Sequence, residues 1–315
     1  MIVTLTPNPS IDRTLTVTEY VPGEVNRAEP CGLEPSGKGI NVSLALLAQG
    51  RPTRAVLPLG GPDGAVLAQM LHRTGLDFAG VPVAGSVRSN VSVVESASGR
   101  VTKVNEPGPE LSADETAALL ERAVKDAEAA SASWLLAAGS LPRGVEPGFY
   151  GRLLESGVTA RVAVDSSGAA LAEAVRHGPD LVKPNVHELA QVAGVPVTRL
   201  GDAVDAARRL QDAGARTVLA SLGADGALLV APGEPSLHAE ARVLRPQNTV
   251  GAGDALLAGF LGAGGEGAPA LREALRWASA AIMRSGTLLG PDIDDSGFEI
   301  SFHDRVERDR ELLLD

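Results

Sequence analysis

Asn248-Thr249-Val250-Gly251-Ala252-Gly253-Asp254 sets three small residues directly ahead of a carboxylate, and Ala255 to Phe260 continue as a helical run. Small residues at a helix start leave backbone amides bare, and those amides with the helix dipole attract a phosphoryl group. A carboxylate facing the same phosphate is repelled unless it takes a proton from an incoming hydroxyl, as a general base does in phosphoryl transfer. Asp254 therefore has two readings: that base, or an acidic residue favoured in the first turn of a plain capped helix.

Ser36-Gly37-Lys38-Gly39-Ile40-Asn41 leads into a second apolar helix, Val42 to Ala48. Gly37 and Gly39 permit close approach of a ligand, Lys38 supplies a point charge, and Asn41 both donates and accepts, a set that suits a phosphorylated polyol. Gly32 to Lys38 nearly spells a nucleotide P-loop, but Gly39 stands where a Ser or Thr should bind magnesium, which argues against a P-loop NTPase. Gly262, Gly264 and Gly267 match dinucleotide-fingerprint spacing yet follow a helical run instead of a strand, and are read as a loop.

Lys183-Pro184-Asn185-Val186-His187-Glu188 closes a strand and opens a helix. Asn185 and Glu188, one turn apart, could hold a water-rich Mg²⁺ shell or could equally form a capping box. Ser221-Leu222-Gly223-Ala224-Asp225-Gly226 is a glycine turn able to lie flat against an adenine or ribose. Arg88, beside Asn90, either closes an arginine fork over a substrate phosphate or is a solvated surface residue. Asp12 either binds sugar hydroxyls or pairs with Arg13 at the surface. The five histidines show no metal-type spacing and read as structural or exposed.

The elements that must position these residues follow an α/β rhythm. Ser112 to Ser131 opens with a capping box, Ser112 and Glu115, and is followed by a strand at Trp134 to Ala138. Strands at Val162 to Asp165, Leu181 to Lys183 and Thr217 to Ser221 alternate with helical stretches at Ala169 to Val175 and Asp202 to Ala213. The turn at Ala224-Asp225-Gly226 into Ala227 to Val230 predicts antiparallel strands late in a mostly parallel sheet. Thr14 to Arg27 and Val87 to Val104 break the rhythm and read as strands exposed on one face, a small separate sheet that covers the site or pairs with another subunit. Asp292 to Asp315 is strongly charged and reads as a peripheral helix or frayed tail.

The chain has 315 residues, 44% of them apolar and 3% aromatic, with a formal charge of −11. Few rings for stacking bases, an acidic balance and no Lys/Arg run argue against nucleic acid as a partner. No segment is long and apolar enough to span a membrane and no signal peptide opens the chain. The one cysteine, Cys31, provides no intramolecular disulfide or zinc cluster, and a cytoplasmic, reducing location is expected.

In this order and spacing the segments resemble the PfkB (ribokinase-like) carbohydrate kinase family, up to about Gly290. The resemblance implies an α/β fold, a three-layer αβα sandwich with a mostly parallel central sheet and a small β-sheet lid. Residues 1–13, 28–84 and 108–315 would form the kinase domain, and 14–27 with 85–107 the lid, through which a homodimer is expected. The resemblance also implies Asp254 as the catalytic base, with the amides of Gly251, Ala252 and Gly253 as an anion hole. Asp12, Gly37, Lys38, Asn41, Arg88 and Asn90 are expected at the sugar phosphate, Lys38 and Arg88 together holding the phosphate it already carries. ATP contacts are expected from Lys183, Asn185, Ser221, Gly223, Gly226 and Asn248, with Mg²⁺ near Asn185 and Glu188 through water.

Thr6 to Arg13, Gly23 to Arg27, Gly37 to Asn41 and Asn105 to Pro109 are similar to the family's fructose 1-phosphate kinases. The kinases of tagatose 6-phosphate and the minor type acting on fructose 6-phosphate share that layout, although the latter tends to have glycine where Lys38 stands. Ser36 replaces a usual glycine, and the charged tail after Pro291 differs from the family's ordinary ending. The expected activity is ATP-dependent phosphorylation of a hexose monophosphate. The alternatives are a kinase of an unphosphorylated sugar or nucleoside, and a non-catalytic sugar- or nucleotide-binding regulator.

Overall fold

A computed structural model of the chain describes residues 1–30, 32–284, 286, 288–303 and 305–313. Cys31 and the end of the charged tail, residues 314–315, lie outside the described residues. In chain order the strands are β1 (Ile2–Leu5), β2 (Ser10–Val17), β3 (Gly32–Ser36), β4 (Thr53–Leu59), β5 (Phe78–Pro82), β6 (Arg88–Glu95), β7 (Val101–Asn105), β8 (Trp134–Ala138), β9 (Arg161–Asp165), β10 (Leu181–Val182), β11 (Thr217–Ser221), β12 (Ala227–Val230), β13 (Leu237–Val243) and β14 (Phe298–His303). The α-helices are α1 (Lys38–Ala48), α2 (Gly61–Thr74), α3 (Ala113–Ala129), α4 (Phe149–Glu155), α5 (Gly168–Arg176), α6 (Val186–Ala193), α7 (Leu200–Asp212), α8 (Ala252–Gly262) and α9 (Gly267–Ile282).

The large sheet has the order β14-β13-β12-β11-β10-β9-β8-β1-β4-β5. Neighbours from β5 across to β11 run parallel, and β12, β13 and β14 are added antiparallel. Strand β8 explains the layering: Leu135 and Ala137 enter one core while Trp134, Leu136 and Ala138 enter the other. A strand buried on both faces must be apolar throughout, which is why Trp134 to Ala138 reads as one continuous run. On the first face the sheet meets α3 to α7 through residues such as Leu119, Phe149, Leu171, Leu189 and Val204. On the second it meets α1, α8 and α9 through Leu46, Leu257 and Leu275, with α2 packed beside them through Leu67 and Leu71. The result is a three-layer αβα sandwich. The capping box at the head of α3 is present, with Ser112 Oγ accepting from the Glu115 amide at 3.2 Å and Glu115 accepting from the Ser112 amide at 2.8 Å.

The small sheet has the order β3-β2-β6-β7 and is mixed: β2 and β6 are parallel, the outer pairs antiparallel. Its register puts Asp12 opposite Asn90 and Glu34, and Arg13 opposite Val91 and Leu33. With period two, one face carries Ser10, Asp12, Arg88 and Asn90 while the other carries Leu15, Leu33, Val91, Val93 and Val104.

Two expectations need correcting. The strand expected over Thr14 to Arg27 ends at Val17; residues 18–27 contain Pro22 and Gly23 and hold no strand, and β2 has β3 on one side and β6 on the other. Nor is the charged tail frayed or helical: Phe298–His303 extends the large sheet as β14, because Phe298, Ile300 and Phe302 alternate with polar residues and pack on the second core.

Candidate active site

The parallel strands bring their carboxyl ends to one edge, where open α/β sheets bind ligands. There β9 ends in Asp165, β10 is followed by Lys183, and α1 and α8 begin with Lys38 and Ala252. Packing of α1 against α8 closes a gap of 213 residues: Asn41 Nδ2 donates to Asp254 Oδ2 at 2.7 Å. The carboxylate after the glycine pair and the lysine-bearing loop thus share one site.

Asp165, which sequence reading missed, is the centre of that site. It is fully buried and accepts from Lys38 Nζ at 2.6 Å, with Lys183 Nζ at 3.3 Å from its other oxygen. Burial pushes the Asp165 carboxyl up, but Lys183 and Lys38 overcome it and hold it below the ordinary value. The available signal was a carboxylate at the end of the apolar run Val162-Ala163-Val164, where a buried charge demands a partner. Burial likewise disfavours the Lys38 ammonium, yet Asp165 and Glu188 more than offset this and raise its pKa. Asp254 goes the other way: burial, reinforced by the charge on Asp165, pushes it up to about 6, against the hydrogen bond from Asn41 and the two lysines.

Gly251, in the left-handed region at φ 82°, is the N-cap of α8 and leaves Ala252, Gly253 and Asp254 in its first turn. Among the described residues the amides of Gly251 and Gly253 have no acceptor, whereas that of Ala252 reaches Thr249 O at 3.3 Å. Two of the three expected anion-hole amides are therefore free. Lys183, read from the sequence as an ATP contact, follows β10. It is 4% exposed and lies beneath the turn, with its ammonium 3.6 Å from where a Cβ on Gly253 would be.

Lys38 and Arg88, the two cations expected at the phosphate of the sugar, each have partners within the protein. Lys38 is committed to Asp165, with Glu188 at 3.9 Å. Arg88 donates to Asn8 O at 3.2 Å and Glu106 O at 3.1 Å. Its burial lowers its pKa against the pull of Asp12 and Glu106. Asp12 ignores Arg13 and accepts from Ser10 Oγ at 2.9 Å and Asn90 Nδ2 at 3.0 Å. Gly37, at φ 132°, lets the loop pass Thr6, whose Cγ2 would lie 2.7 Å from a Cβ there.

Several buried polar atoms among the described residues lack a hydrogen-bond partner. Besides Ser236 Oγ they are Thr6 Oγ1, Asn8 Oδ1, Asn41 Oδ1, Arg88 Nε, Asn90 Oδ1 and Asp165 Oδ2, the last of which faces Lys183 Nζ at 3.3 Å. Leaving such a group unpaired costs roughly 1–3 kcal/mol, which a polar, many-hydroxyl ligand would offset.

Asn185 and Glu188 form the capping box of α6, with Asn185 Oδ1 accepting from the Glu188 amide at 2.8 Å and Glu188 Oε2 from the Asn185 amide at 2.9 Å. The other oxygen of Glu188 stays on the Lys38 side of the site. Among the described residues no three His, Cys, Asp or Glu side chains form a ready-made metal cage. One spare carboxylate oxygen still fits Mg²⁺, which binds through one or two carboxylates while keeping waters and substrate phosphates. Among the residues expected at the nucleotide, Ser221 donates its amide to Pro184 O at 3.0 Å and bridges to Asn185. Gly223 opens onto empty space, whereas Gly226 is pressed on β13, where a Cβ would meet Ala239 O. Asn248 shapes the loop ahead of α8, accepting from the Val250 amide at 3.0 Å.

A carboxylate beside free helix-start amides, with two lysines on a buried carboxylate, is an arrangement suited to phosphoryl transfer. A sequence profile of the pfkB family carbohydrate kinases matches residues 6–292. The 1-phosphofructokinase of Haloferax volcanii is 38% identical over 299 residues, covering 94% of this chain and 95% of that one. The 1-phosphofructokinase of Rhodobacter capsulatus is 35% identical, covering 93% and 92%. Phosphofructokinase-2 from Escherichia coli superposes with a TM-score of 0.85 at 31% identity, covering 92% and 94%. It has been solved in complex with fructose-6-phosphate and in a tetrameric inhibited form. The chain belongs to the pfkB family of carbohydrate kinases: it is a kinase that phosphorylates a sugar phosphate with ATP as co-substrate.

Proposed function

We propose that the chain transfers the γ-phosphoryl group of ATP to the 6-hydroxyl of fructose 1-phosphate, giving fructose 1,6-bisphosphate and ADP. The observation that supports the reading is the 2.7 Å contact of Asn41 with Asp254, from the helix that also carries Lys38. The sugar hydroxyl oxygen attacks the γ-phosphorus, the bond to the β-phosphate oxygen breaks, and the hydroxyl proton passes to Asp254. The amides of Gly251 and Gly253 and the Lys38 ammonium face the charge that develops, each such donor being worth about 10²–10³ in rate. Magnesium, held with ATP near Glu188, supplies further charge neutralisation when bound. Arg88, Asn90, Asp12 and Asn8 orient the sugar phosphate through the polar atoms left unpaired. Ser221 and Gly223 face the nucleotide.

Relatives named for fructose 1-phosphate favour that substrate. Fructose 6-phosphate is the second reading, carried by the E. coli relative, and tagatose 6-phosphate the third. Steady-state kinetics with the three sugars and ATP decide among them. The expected order puts fructose 1-phosphate first in kcat/KM by at least about tenfold, and a higher value for either 6-phosphate overturns the assignment. An unphosphorylated hexose should be poor, since Arg88 would then lack an anion.

The apolar outer face of the small sheet supports a homodimer built through it, with Leu33 44% and Val104 61% exposed. A single cysteine and the use of ATP support a reducing, cytoplasmic setting.

A further inference from the structure

The family profile ends at residue 292, and the chain beyond it is not a loose appendage. After β14, residues 305–313 run along the start of α7, whose N-cap, Arg199, gives no side-chain cap. Their carbonyls serve that helix instead: the Leu200 amide donates to Arg310 O at 3.0 Å and the Gly201 amide to Arg308 O at 2.8 Å. Gly201 permits the approach, since a Cβ there would lie 2.7 Å from Arg308 O. Leu312 is 8% exposed and joins the main core.

From this position the tail reaches Asp225, a fully buried carboxylate in the turn after β11. Arg310 donates to Asp225 Oδ1 at 2.8 Å and the Leu313 amide to Oδ2 at 2.6 Å. Arg310 also holds Glu240 of β13 at 2.8 Å, and His238 of that strand contacts the Asp225 carbonyl at 2.8 Å. The turn therefore has a pinned side, made of Asp225 and Gly226, and an open side, where nothing lies within 4 Å of a Cβ placed on Gly223. A buried carboxylate stripped of its cation must take a proton or turn outward, and either would carry the backbone of a short turn with it.

We propose that residues 305–313 are a positioning element of the nucleotide site, with Arg310 and the Leu313 amide fixing Asp225 so that Ser221 to Gly223 present a preformed surface to ATP. This rests on the reading of that turn as a nucleotide contact. Arg310 touches neither substrate. It acts through Asp225, on a segment that the family profile does not include.

The test uses the full-length chain with Arg310→Met, Leu313→Pro, Arg308→Ala and Gly223→Asn, the last because Asn tolerates left-handed backbone. KM for ATP, KM for the sugar phosphate, kcat, calorimetric ADP affinity and Tm are measured for each. Arg310→Met and Leu313→Pro should raise KM for ATP and weaken ADP binding by about tenfold, leaving KM for the sugar phosphate within about twofold. Arg308→Ala, which removes an exposed pair with Asp205 and a 3.4 Å contact with Gly201 O but keeps the Arg308 carbonyl on the Gly201 amide, should leave all kinetic values unchanged. Arg310→Lys should recover part of the ATP affinity. If Arg310→Met does not fold, Leu313→Pro, which removes one amide near the chain end, decides alone. A folded variant of either kind with lower Tm but unaltered KM for ATP overturns the proposal. Gly223→Asn separates the two layers: if it too leaves KM for ATP unmoved, the nucleotide reading of the turn falls; if it raises KM while the tail variants do not, only the positioning role falls.

Discussion

Asp254 and Asp165 are two carboxylates in one site whose surroundings drive them apart. Asp165, between two lysines, stays charged, while Asp254 is raised to about 6 by burial and by that very charge. A base acts only when unprotonated, so kcat/KM should fall about tenfold per unit as pH drops below about 6. The sugar phosphate titrates nearby, with a second pKa of roughly 6 for phosphate monoesters, and a shift of the limb is therefore the sharper measurement. Asp165→Asn removes one negative neighbour and leaves Lys38 and Lys183 favouring ionised Asp254; the acid limb should move to lower pH, and a limb that stays put sinks the coupling. Asp254→Asn should cut kcat by about 10²–10⁴. Because the folded pKa lies above the unfolded 3.8, the folded chain holds an extra proton between about pH 4 and 6, and this group's contribution to stability declines as pH rises through that window. Asp254→Asn at pH 8 should therefore have a Tm no lower than the parent, and a folded variant with near-parental kcat would refute the base.

Helix α1 delivers Lys38 and Asn41, and its entry depends on a single glycine. Gly37 adopts φ 132° with no side-chain cap, and a methyl there would stand 2.7 Å from Thr6 and 3.3 Å from the Pro9 backbone. Gly37→Ala should cost about 1–3 kcal/mol through strain, read as a Tm lower by several degrees. It should also reduce kcat, because the helix start that aims Asn41 at Asp254 must shift. At the other end of the same helix Gly50, at φ 65°, meets nothing within 4 Å, and Gly50→Asn should leave kcat unchanged; equal damage at both positions would show that helix stability, and not aim, is at stake. The same scale shows what sequence could resolve. The N-cap signals, Ser112 with Glu115 and the Asn185 to Glu188 box, were legible because capping is local chemistry. The partner of β2 was not, since Thr14 to Arg27 alternates plausibly but nothing local says that pairing jumps to Gly32–Ser36.

At the scale of the molecule the small sheet carries Asp12, Arg88 and Asn90 on one face and Leu33, Val91 and Val104 on the other. Covering that face with a second copy satisfies both sides of the sheet. The double substitution Leu33→Lys and Val104→Lys should yield monomers by light scattering at concentrations where the parent is a dimer. If the parent itself is monomeric, the interface reading is lost. A fall in activity alongside dissociation would indicate that the sheet needs its partner to hold Arg88 and Asn90 over the sugar.

The amino-acid sequence on its own determined the alternation of strands and helices, the antiparallel end of the large sheet and the glycine turn ahead of Asp254. Each of these is written in residues close together in the chain, as period, cap or turn. Only tertiary structure decided that Lys38 and Lys183 meet on Asp165, and that the charged tail adds an edge strand and then reaches Asp225 through Arg310. The Lys38–Asp165 and Arg310–Asp225 pairings span 127 and 85 residues, and a buried carboxylate reveals its partner only when folding has removed the water that would otherwise serve it.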